Sequence, residues 1–219
     1  MSTPPLEETK RRLLEAAGEE FAEKGCDQAT VRDILKRAGM KNIAAVNYYF
    51  ENKEKLYEAV LRHAFQCRLE QMPLPRWEPG MKPEVKLRLF IRGVVMHMLQ
   101  DQYPWQLKLL LRELGAPSSA GQALVRDFIR PIYEELWRIL RELLGPEVPE
   151  EQLHLLGFSI VGQIFYQRVA RPVLALVVGA DEHRTYTPER LAEHITAFSL
   201  AALAAVRPRG EKEVPSWAG

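Results

Sequence analysis

Apolar residues recur three and four positions apart along most of this chain, which is the spacing that places them on one face of a helix. The first such segment runs from Glu7 to Lys24, and Gly25 follows it as a helix stop. Its apolar face consists of Leu13, Leu14, Ala17 and Phe21. No segment shows the sustained alternation of apolar and polar residues that is typical of strands. The pattern predicts an all-α fold.

Three more helices are predicted soon after Gly25. Thr30 is placed to cap a helix over Val31–Ala38, because its hydroxyl can accept a hydrogen bond from a free backbone N–H, and Gly39 ends this helix. A short helix follows from about Asn42 to Tyr49, and a longer one starts near Lys53 and ends before Pro73 and Pro75. One side of the longer helix carries Leu56, Val60, Ala64 and Cys67.

The clearest change of composition lies between Met72 and Pro83, where four prolines, a glycine and a tryptophan occur. Such a segment is typical of a linker, so we expect a domain of residues 1–71, a larger helical domain of residues 72–207 and a flexible tail of residues 208–219. Pro131 and Pro172 each predict a kink or break. The helices predicted in the larger domain are Glu84–Gln100, Pro104–Gly115, Ala120–Leu144, Glu150–Val178 and Pro188–Val206.

Composition and charge narrow the partners and the compartment. The 30 basic and 29 acidic residues nearly cancel to a net charge of +1, so any nucleic-acid contact must be local. The two cysteines, Cys26 and Cys67, match no metal or redox spacing, and the N-terminus lacks the apolar core of a signal peptide. These features favour a reducing cytoplasm.

One apolar stretch, residues 153–180, resembles a membrane span in composition alone. Gln163, Gln167, Arg168 and Arg171 interrupt it, and Pro172 breaks it, so no uncharged run reaches the ~20 residues that a spanning helix needs. We expect a buried or interfacial helix and no membrane partner.

Residues 28–56 have the outline of a helix-turn-helix, two short helices joined by a glycine-containing turn. This stretch has six basic and three acidic residues, whereas residues 1–27 have four basic and seven acidic ones. The local excess of +3 suits phosphate contacts. If charge alone is considered, the alternative is an ordinary pair of solvent-exposed helices that does not bind DNA.

The sequence ATVRDILKRAGMKNIAAVNYYFENKEKLY, with the preceding LLEAAGEEFAEKG, resembles the DNA-binding domain of TetR-family regulators over about the first 65 residues. The match includes the small-residue turn Ala38-Gly39 and the aromatic run Tyr48-Tyr49-Phe50. The resemblance implies a homodimeric transcriptional repressor that binds double-stranded, palindromic operator DNA and is released by a small-molecule effector. The alternative is a helical small-molecule-binding protein or an enzyme without operator binding.

The resemblance and side-chain chemistry together indicate nine DNA-binding residues. Small residues at 44 and 45 let the recognition helix approach base edges, Asn47 offers an amide, and Tyr48 and Tyr49 offer hydroxyls to phosphates. Thr30 and Lys53 match family positions that touch the DNA backbone. Capping by Thr30, packing by Tyr49 and solvation of Lys53 are the alternatives. The nine residues are Thr30, Lys41, Asn42, Ala44, Ala45, Asn47, Tyr48, Tyr49 and Lys53.

The turn departs from the family pattern at one point. Met40-Lys41 precedes NIAAVNYYF, which gives the turn one residue more than usual. The register of Lys41 and Asn42 against DNA is therefore left open.

In the C-terminal half, FIRPIYEELWRILRELL and GFSIVGQIFYQRVARPVL resemble the CecR-like (YbiH-like) subfamily of the same family, as does NIAAVNYYF. The helices around Leu155–Val169 and Leu191–Val206 are more apolar than single surface helices should be, which predicts an intersubunit bundle.

Ligand pockets place a few polar groups within apolar walls, so polar residues on these helices are the candidate sensor residues. The alternatives are core packing for the aromatic residues and His97, and ion pairs of Arg112 or Arg168 with acids such as Glu113 or Glu135. The candidates are His97, Trp105, Gln106, Arg112, Tyr133, Gln163, Tyr166 and Arg168.

Nothing in the sequence indicates catalysis, a cofactor or a metal site. The five histidines are scattered, and no HExxH, GxSxG, Walker or dinucleotide motif occurs. The trio Asp181-Glu182-His183 falls in a predicted loop with no second cluster of ligands, so we expect it to be solvated.

Overall fold

The computed structural model of the protein describes residues 5–42, 44–71, 76–99 and 104–206, and the chain is helical in all four ranges. The first four helices are α1 (Pro5–Gln28), α2 (Val31–Arg37), α3 (Ala44–Phe50) and α4 (Lys53–Gln71). They are followed by α5 (Pro83–Leu99), α6 (Pro104–Gly115), α7 (Ser119–Leu124), a π-helical segment (Val125–Ile129) and α8 (Arg130–Leu144). The last four are α9 (Glu150–Val169), α10 (Arg171–Val178), α11 (Ala180–His183) and α12 (Pro188–Val206).

The all-α prediction is confirmed, and most helix bounds lie close to those predicted. The prediction that Gly25 ends the first helix is wrong. Gly25 interrupts α1 with a φ of 83°, and one further helical turn follows it. The guanidinium group of Arg112 lies against this glycine, where a Cβ atom would come within 2.7 Å of Nη2. Gly25 is therefore a kink within α1, and its left-handed backbone favours glycine.

The two prolines predicted to kink or break helices differ in outcome. Pro172 lies in the first turn of α10, after α9 has ended at Val169. Proline has no N–H to pair, so it is accommodated in the first turn of a helix. Around Pro131 the chain stays helical from residue 119 to residue 144, and the π-helical segment over residues 125–129, just before this proline, is the local departure from regular α-helix.

The prediction of a loop at residues 181–183 is wrong. Asp181, Glu182 and His183 lie on the short helix α11, which follows Gly179 and its φ of 89°. A single turn of helix has no apolar period of its own, so the hydrophobic pattern gave no sign of it.

The contacts divide the chain into two compact units. The first unit contains α1–α4, α6, α7 and the π-helical segment, and the second contains α5, α8 beyond Pro131 and α9–α12. The sequence-based limits of 1–71 and 72–207 stay a prediction, and the contacts group α6 and α7 with the N-terminal helices. The predicted tail, 208–219, lies outside the described residues.

The core of the first unit forms where α1, α2, α4 and α6 meet. Leu13 and Phe21 of α1 and Ile34 of α2 are fully buried there, and Leu56 and Val60 of α4 are buried as predicted. The rings of Phe21 and Tyr57 meet edge to face at 5.0 Å between centroids. Burying such side chains stabilises the unit by roughly 1.5–3 kcal/mol for each large one. The side chain of Cys67, predicted to share this face, lies outside the described part.

The core of the second unit forms between α5, α8, α9 and α12. The helix α5 lies along α12, and both also contact α9. Residues three and four apart on α8 are buried in this core, so the amphipathic pattern of that helix determines the face it buries. They are Leu136, Ile139, Leu140, Leu143 and Leu144.

Candidate nucleic-acid interface

The start of α2 is capped as predicted. The Oγ1 atom of Thr30 accepts a hydrogen bond from the backbone N–H of Asp33 at 3.1 Å, and the backbone of Thr30 is extended. At the other end, Gly39 has a φ of 69°, and Arg12 donates from Nη2 to the carbonyl of Ala38 at 2.7 Å. Both ends of the first helix of the helix-turn-helix are therefore held by defined hydrogen bonds.

Acidic residues of α1 fix the orientation of α2. Arg37 forms ion pairs with Glu19 at 3.0 Å, Glu20 at 3.0 Å and Glu23 at 2.7 Å, and the side chain of Glu20 is 3% exposed. Hydrogen bonds to Glu23 and Glu19 raise the pKa of Arg37. Lys24 in turn pairs with Asp33 at 3.0 Å. Arg37 was part of the predicted basic excess, but its guanidinium group is paired with the carboxylates of α1.

The first residue of the recognition helix α3 is hydrogen-bonded to the side chain of Asn42, two residues before it. The Oδ1 atom of Asn42 accepts a hydrogen bond from the N–H of Ala44 at 2.9 Å. Asn42, predicted to bind DNA, therefore also has a structural role in the turn, while Lys41 beside it is exposed. Sequence reasoning did not assign this cap, although asparagine just before a helix is the usual signal for one.

The helix α3 has one buried and one exposed face. Val46 and Phe50 are buried in the core of the first unit, as predicted for Phe50. Ala44, Asn47 and Tyr48 are exposed three and four residues apart, and Tyr48 is 76% exposed. A tyrosine so exposed on a helix whose other face is anchored is available to a partner. Three predicted DNA-binding residues thus share one accessible face, which we call the α3 face.

Two further predicted DNA-binding residues on α3, Tyr49 and Ala45, are not part of the α3 face. Tyr49 is half-buried and packs against the core, and its ring meets that of Tyr48 edge to face at 5.0 Å between centroids. Its contacts support the packing role that the sequence left open, and they hold Tyr48 in position. The side chain of Ala45 lies outside the described part.

Lys53 begins α4 and is half-buried. Its Nζ atom lies 3.4 Å from the carbonyl oxygens of Asp27 and Ala29, in the segment just before Thr30. The ammonium group of Lys53 is thus held beside the start of α2. These contacts differ from the alternative interpretation, in which the Lys53 side chain is only solvated. The N-cap of α4 is Asn52, whose Oδ1 accepts from the N–H of Lys55 at 2.8 Å.

The eight candidate ligand residues divide between the two units. Trp105, Gln106 and Arg112 lie on α6 in the first unit, and the other five lie in the second. Trp105 packs over Gly18 of α1, where its ring fills the space that a Cβ atom would need. Gln106 is 2% exposed and lines a small cavity, and Arg112 lies beside Gly25.

Glu113, which sequence reasoning considered only as a partner for an arginine, forms a buried network. Its carboxylate accepts a hydrogen bond from the hydroxyl of Tyr57, and it accepts from the N–H of Ser118 at 2.9 Å and from its Oγ at 2.8 Å. Burial and the hydrogen bond to Glu113 raise the pKa of Tyr57. Gly121 approaches the same carboxylate so closely that a Cβ atom would overlap it. The network joins α4 to α6 and α7.

In the second unit, the candidates do not form one cluster. Tyr133 contacts the rings of Trp137 at 5.6 Å and Phe158 at 5.5 Å between centroids, and burial raises its pKa. Gln163 donates to the carbonyl of Ser159 at 3.3 Å within α9, while Tyr166 is 57% exposed. His97 and Arg168 are half-buried and each takes part in side-chain interactions.

Glu135 was considered from the sequence as an ion-pair partner of an arginine. Its carboxylate accepts a hydrogen bond from Nε1 of Trp77 and pairs with Arg138 at 2.5 Å.

Metal ligands and membrane-spanning helices can be considered for the described residues alone. Among them, no group of three or more His, Cys, Asp or Glu side chains is arranged to hold a metal ion. On α11, Asp181 pairs with Arg184, and Glu182 accepts from the hydroxyl of Tyr186 at 2.6 Å. None of the helices in the described ranges is long and apolar enough to cross a membrane.

Two family models match the sequence. The one described as "Bacterial regulatory proteins, tetR family" matches residues 13–60, which include α2, α3 and the start of α4. The one described as "HTH-type transcriptional dual regulator CecR, C-terminal domain" matches residues 83–203, more than half of the chain. The chain belongs to the TetR family of transcriptional regulators, with a CecR-type C-terminal domain.

Relatives agree with this assignment. The HTH-type transcriptional dual regulator CecR of Shigella flexneri is 29% identical over 195 residues, which cover 82% of this chain and 85% of that protein. As a member of this family, the chain is a transcriptional regulator and not an enzyme.

Solved structures share the fold. The superantigen PfiT matches with a TM-score of 0.64 and 18% identity over 90% of this chain and 97% of that one. A putative fatty acid metabolism regulator of Clostridium perfringens matches with a TM-score of 0.62 and 21% identity over 87% and 97%. A TetR-like regulator from Rhodococcus sp. RHA1 matches with a TM-score of 0.61 and 16% identity over 90% and 96%. At these identities the likeness concerns the fold alone.

Proposed function

We propose that this TetR-family regulator is a repressor that binds palindromic operator DNA as a homodimer and leaves the DNA when a small-molecule effector binds. The observation that carries the proposal is the α3 face, Ala44, Asn47 and Tyr48, on a helix anchored by Val46 and Phe50. A recognition helix must present an accessible face while its other side stays fixed, because base contacts need a defined position.

The nine predicted DNA-binding residues have different expected roles. Ala44 and Asn47 face base edges, since a methyl group permits close approach and an amide reads donors and acceptors. Tyr48 and Lys53 contact phosphates. Thr30, Asn42 and Tyr49 position the two helices, as their capping and packing contacts indicate. Lys41 and Ala45 complete the set, with the register of Lys41 open as before.

The homodimer forms through α9 and α12. On α9, Leu155, Phe158, Tyr166 and Val169 are 50–57% exposed and lie on one side of the helix. On α12, Phe198 is 58% exposed and is flanked by exposed alanines. Helices with small residues approach each other closely, and large apolar side chains on the partner fill the space between them. A two-fold dimer would cover both stripes at once.

The effector binds to the helical domain outside the helix-turn-helix and acts on the spacing of the two recognition helices. A dimer reaches successive major grooves only when these helices lie about 34 Å apart, so a displacement of a few ångströms lowers affinity. The helix α4 is the expected lever, because it begins at Lys53 beside the helix-turn-helix and packs against α6 and α7. A coupling of ~1–3 kcal/mol would give a useful response. A cytoplasmic location suits binding to chromosomal DNA.

The test is operator binding by the full chain. We expect a dimer to shift DNA from the promoter region of a neighbouring gene at nanomolar concentration, with affinity falling steeply as salt rises. Reporter expression should rise when the gene for this regulator is deleted. Equal affinity for the promoter fragment and for a shuffled duplex would contradict operator recognition, and lower expression after deletion would contradict repression.

A further inference from the structure

A small cavity lies in the first unit between α4, α6 and α7. Its walls are apolar except at Gln106. Leu61, Ala64 and Phe65 come from α4, Leu110 from α6 and Leu124 from α7. The cavity is therefore an apolar space with one amide at its wall, and its volume of about 10 Å³ admits a group about the size of a hydroxyl or a water molecule.

The Oε1 atom of Gln106 is fully buried, and no group among the described residues donates a hydrogen bond to it. The whole residue is 2% exposed. A buried carbonyl oxygen without a donor is costly and uncommon in native proteins, so the atom calls for a partner that the chain itself does not supply. A bound molecule with a donor group would satisfy it.

A larger cleft of about 130 Å³ adjoins this cavity and shares Leu61 and Leu124 with it. Ala120, Ala123 and Phe128 add apolar walls, and Phe128 belongs to the π-helical segment. Segments of π-helix occur often at functional sites. A cavity of about 150 Å³ holds one benzene molecule, so a body of about one ring suits this space.

Three charged residues line the cleft, Glu58, Arg62 and Asp127. Glu58 pairs with Lys55 at 2.9 Å, and Asp127 pairs with Arg126 at 2.9 Å, so each carboxylate has a cation on its own helical segment. Arg62 is exposed, so its guanidinium group can stay in water while an apolar molecule occupies the cleft.

We propose that the cleft, extended to Gln106, binds a small neutral molecule with an apolar body of about one ring and a hydroxyl group that donates to Oε1. The inference rests on the proposed function in one respect, that the bound molecule is the effector. The site contacts α4, the same helix that begins at Lys53, so binding there acts directly on the expected lever.

Phenol and toluene test the site, since they share one shape and differ by a hydroxyl in place of a methyl group. Both are titrated into the full-length dimer with labelled leucine methyl groups, and binding is followed by NMR at Leu61 and Leu124. We expect phenol to bind about fivefold more tightly than toluene, as one added hydrogen bond implies. Gln106→Leu should reverse this preference, and Ala123→Phe should abolish binding of both.

Gln66→Leu is the matched control, because Gln66 is an exposed glutamine on α4 outside the cleft. It should leave both affinities unchanged. Equal affinity of the two compounds for the wild type, or an unchanged preference in Gln106→Leu, would overturn the inference, as would shifts confined to methyl groups of the second unit.

Operator binding, measured in the same samples, separates this inference from the proposed function. Phenol that binds in the cleft and weakens operator binding supports both. Phenol that binds there without changing operator affinity supports the site and contradicts its role as the effector site. Operator binding without any binding of phenol overturns the site alone.

Discussion

Tyr57 of α4 donates its phenolic hydrogen bond to the carboxylate of Glu113 near the end of α6, and both side chains are at most 5% exposed. The same carboxylate also accepts from the N-cap of α7, Ser118, so one buried acid joins three helices. Such a network stabilises the fold only while every polar atom in it keeps a partner.

Tyr57→Phe should lower the free energy of unfolding by about 1–3 kcal/mol, because one buried oxygen of Glu113 would lose its donor. Urea unfolding followed by circular dichroism measures the change. Tyr48→Phe is the control, since its hydroxyl is on an exposed side chain and its removal should leave stability unaltered. Equal midpoints for Tyr57→Phe and the wild type would show that the hydrogen bond contributes nothing.

The same network predicts a loss of stability at alkaline pH. Burial, with the hydrogen bond to Glu113, raises the pKa of Tyr57, so the folded chain holds this proton while the unfolded chain releases it above about pH 10. The contribution is complete below that pH and declines by about 1.4 kcal/mol per pH unit above it. The stability difference between wild type and Tyr57→Phe should therefore shrink from pH 9 to pH 11. A constant difference over this range would contradict the raised pKa.

Gly18→Ala should destabilise the first unit, because a Cβ atom there would lie 2.3 Å from the indole of Trp105. Overpacking of this kind costs about 1–3 kcal/mol. Gly93→Ala is the matched control, since nothing lies within 4 Å of its Cβ position on α5. That change should stabilise by about 0.5–1 kcal/mol through helix propensity. Thermal unfolding of both variants makes the comparison, and a stabilised Gly18→Ala would show that Trp105 moves freely.

Lys53→Ala should weaken operator binding and reduce the slope of log affinity against log salt by about 0.9, the value for one phosphate contact. The effect should be the same for all duplexes, because a phosphate contact reads no base. Lys55→Ala is the control, since Lys55 pairs with Glu58 at 2.9 Å and lies two residues further along α4. Tyr48→Phe should weaken binding as well. A salt slope unaltered by Lys53→Ala would remove Lys53 from the interface.

Ala202→Glu should convert the proposed dimer to monomer, because a carboxylate on the exposed side of α12 would be buried without a partner. Sedimentation velocity at micromolar concentration measures the change. Ala116→Glu, on the exposed loop after α6, is the control and should remain dimeric. A wild-type chain that sediments as a monomer would contradict the dimer itself.

Local sequence determined most of the helices, although it indicated neither α11 nor the turn of α1 that follows Gly25. Thr30 predicted the start of α2, and Pro172 predicted the break before α10, because capping and the missing proline N–H act within one turn of the backbone. The family motif likewise lies in one continuous stretch. Sequence alone therefore indicated the helix-turn-helix and the exposed position of Tyr48.

Only the tertiary structure decided how the polar side chains are used, since their partners are far away in sequence. Arg37 belonged to a basic cluster in the sequence, but the fold turns it towards Glu23 on α1. Glu113 was considered as a partner for arginine, yet it is buried under Tyr57, 56 residues away. Gln106 is left beside a cavity because three separate helices close around it. Such pairings depend on which helix faces meet, and the periodicity of a single helix gives its apolar face but not the neighbour that covers it.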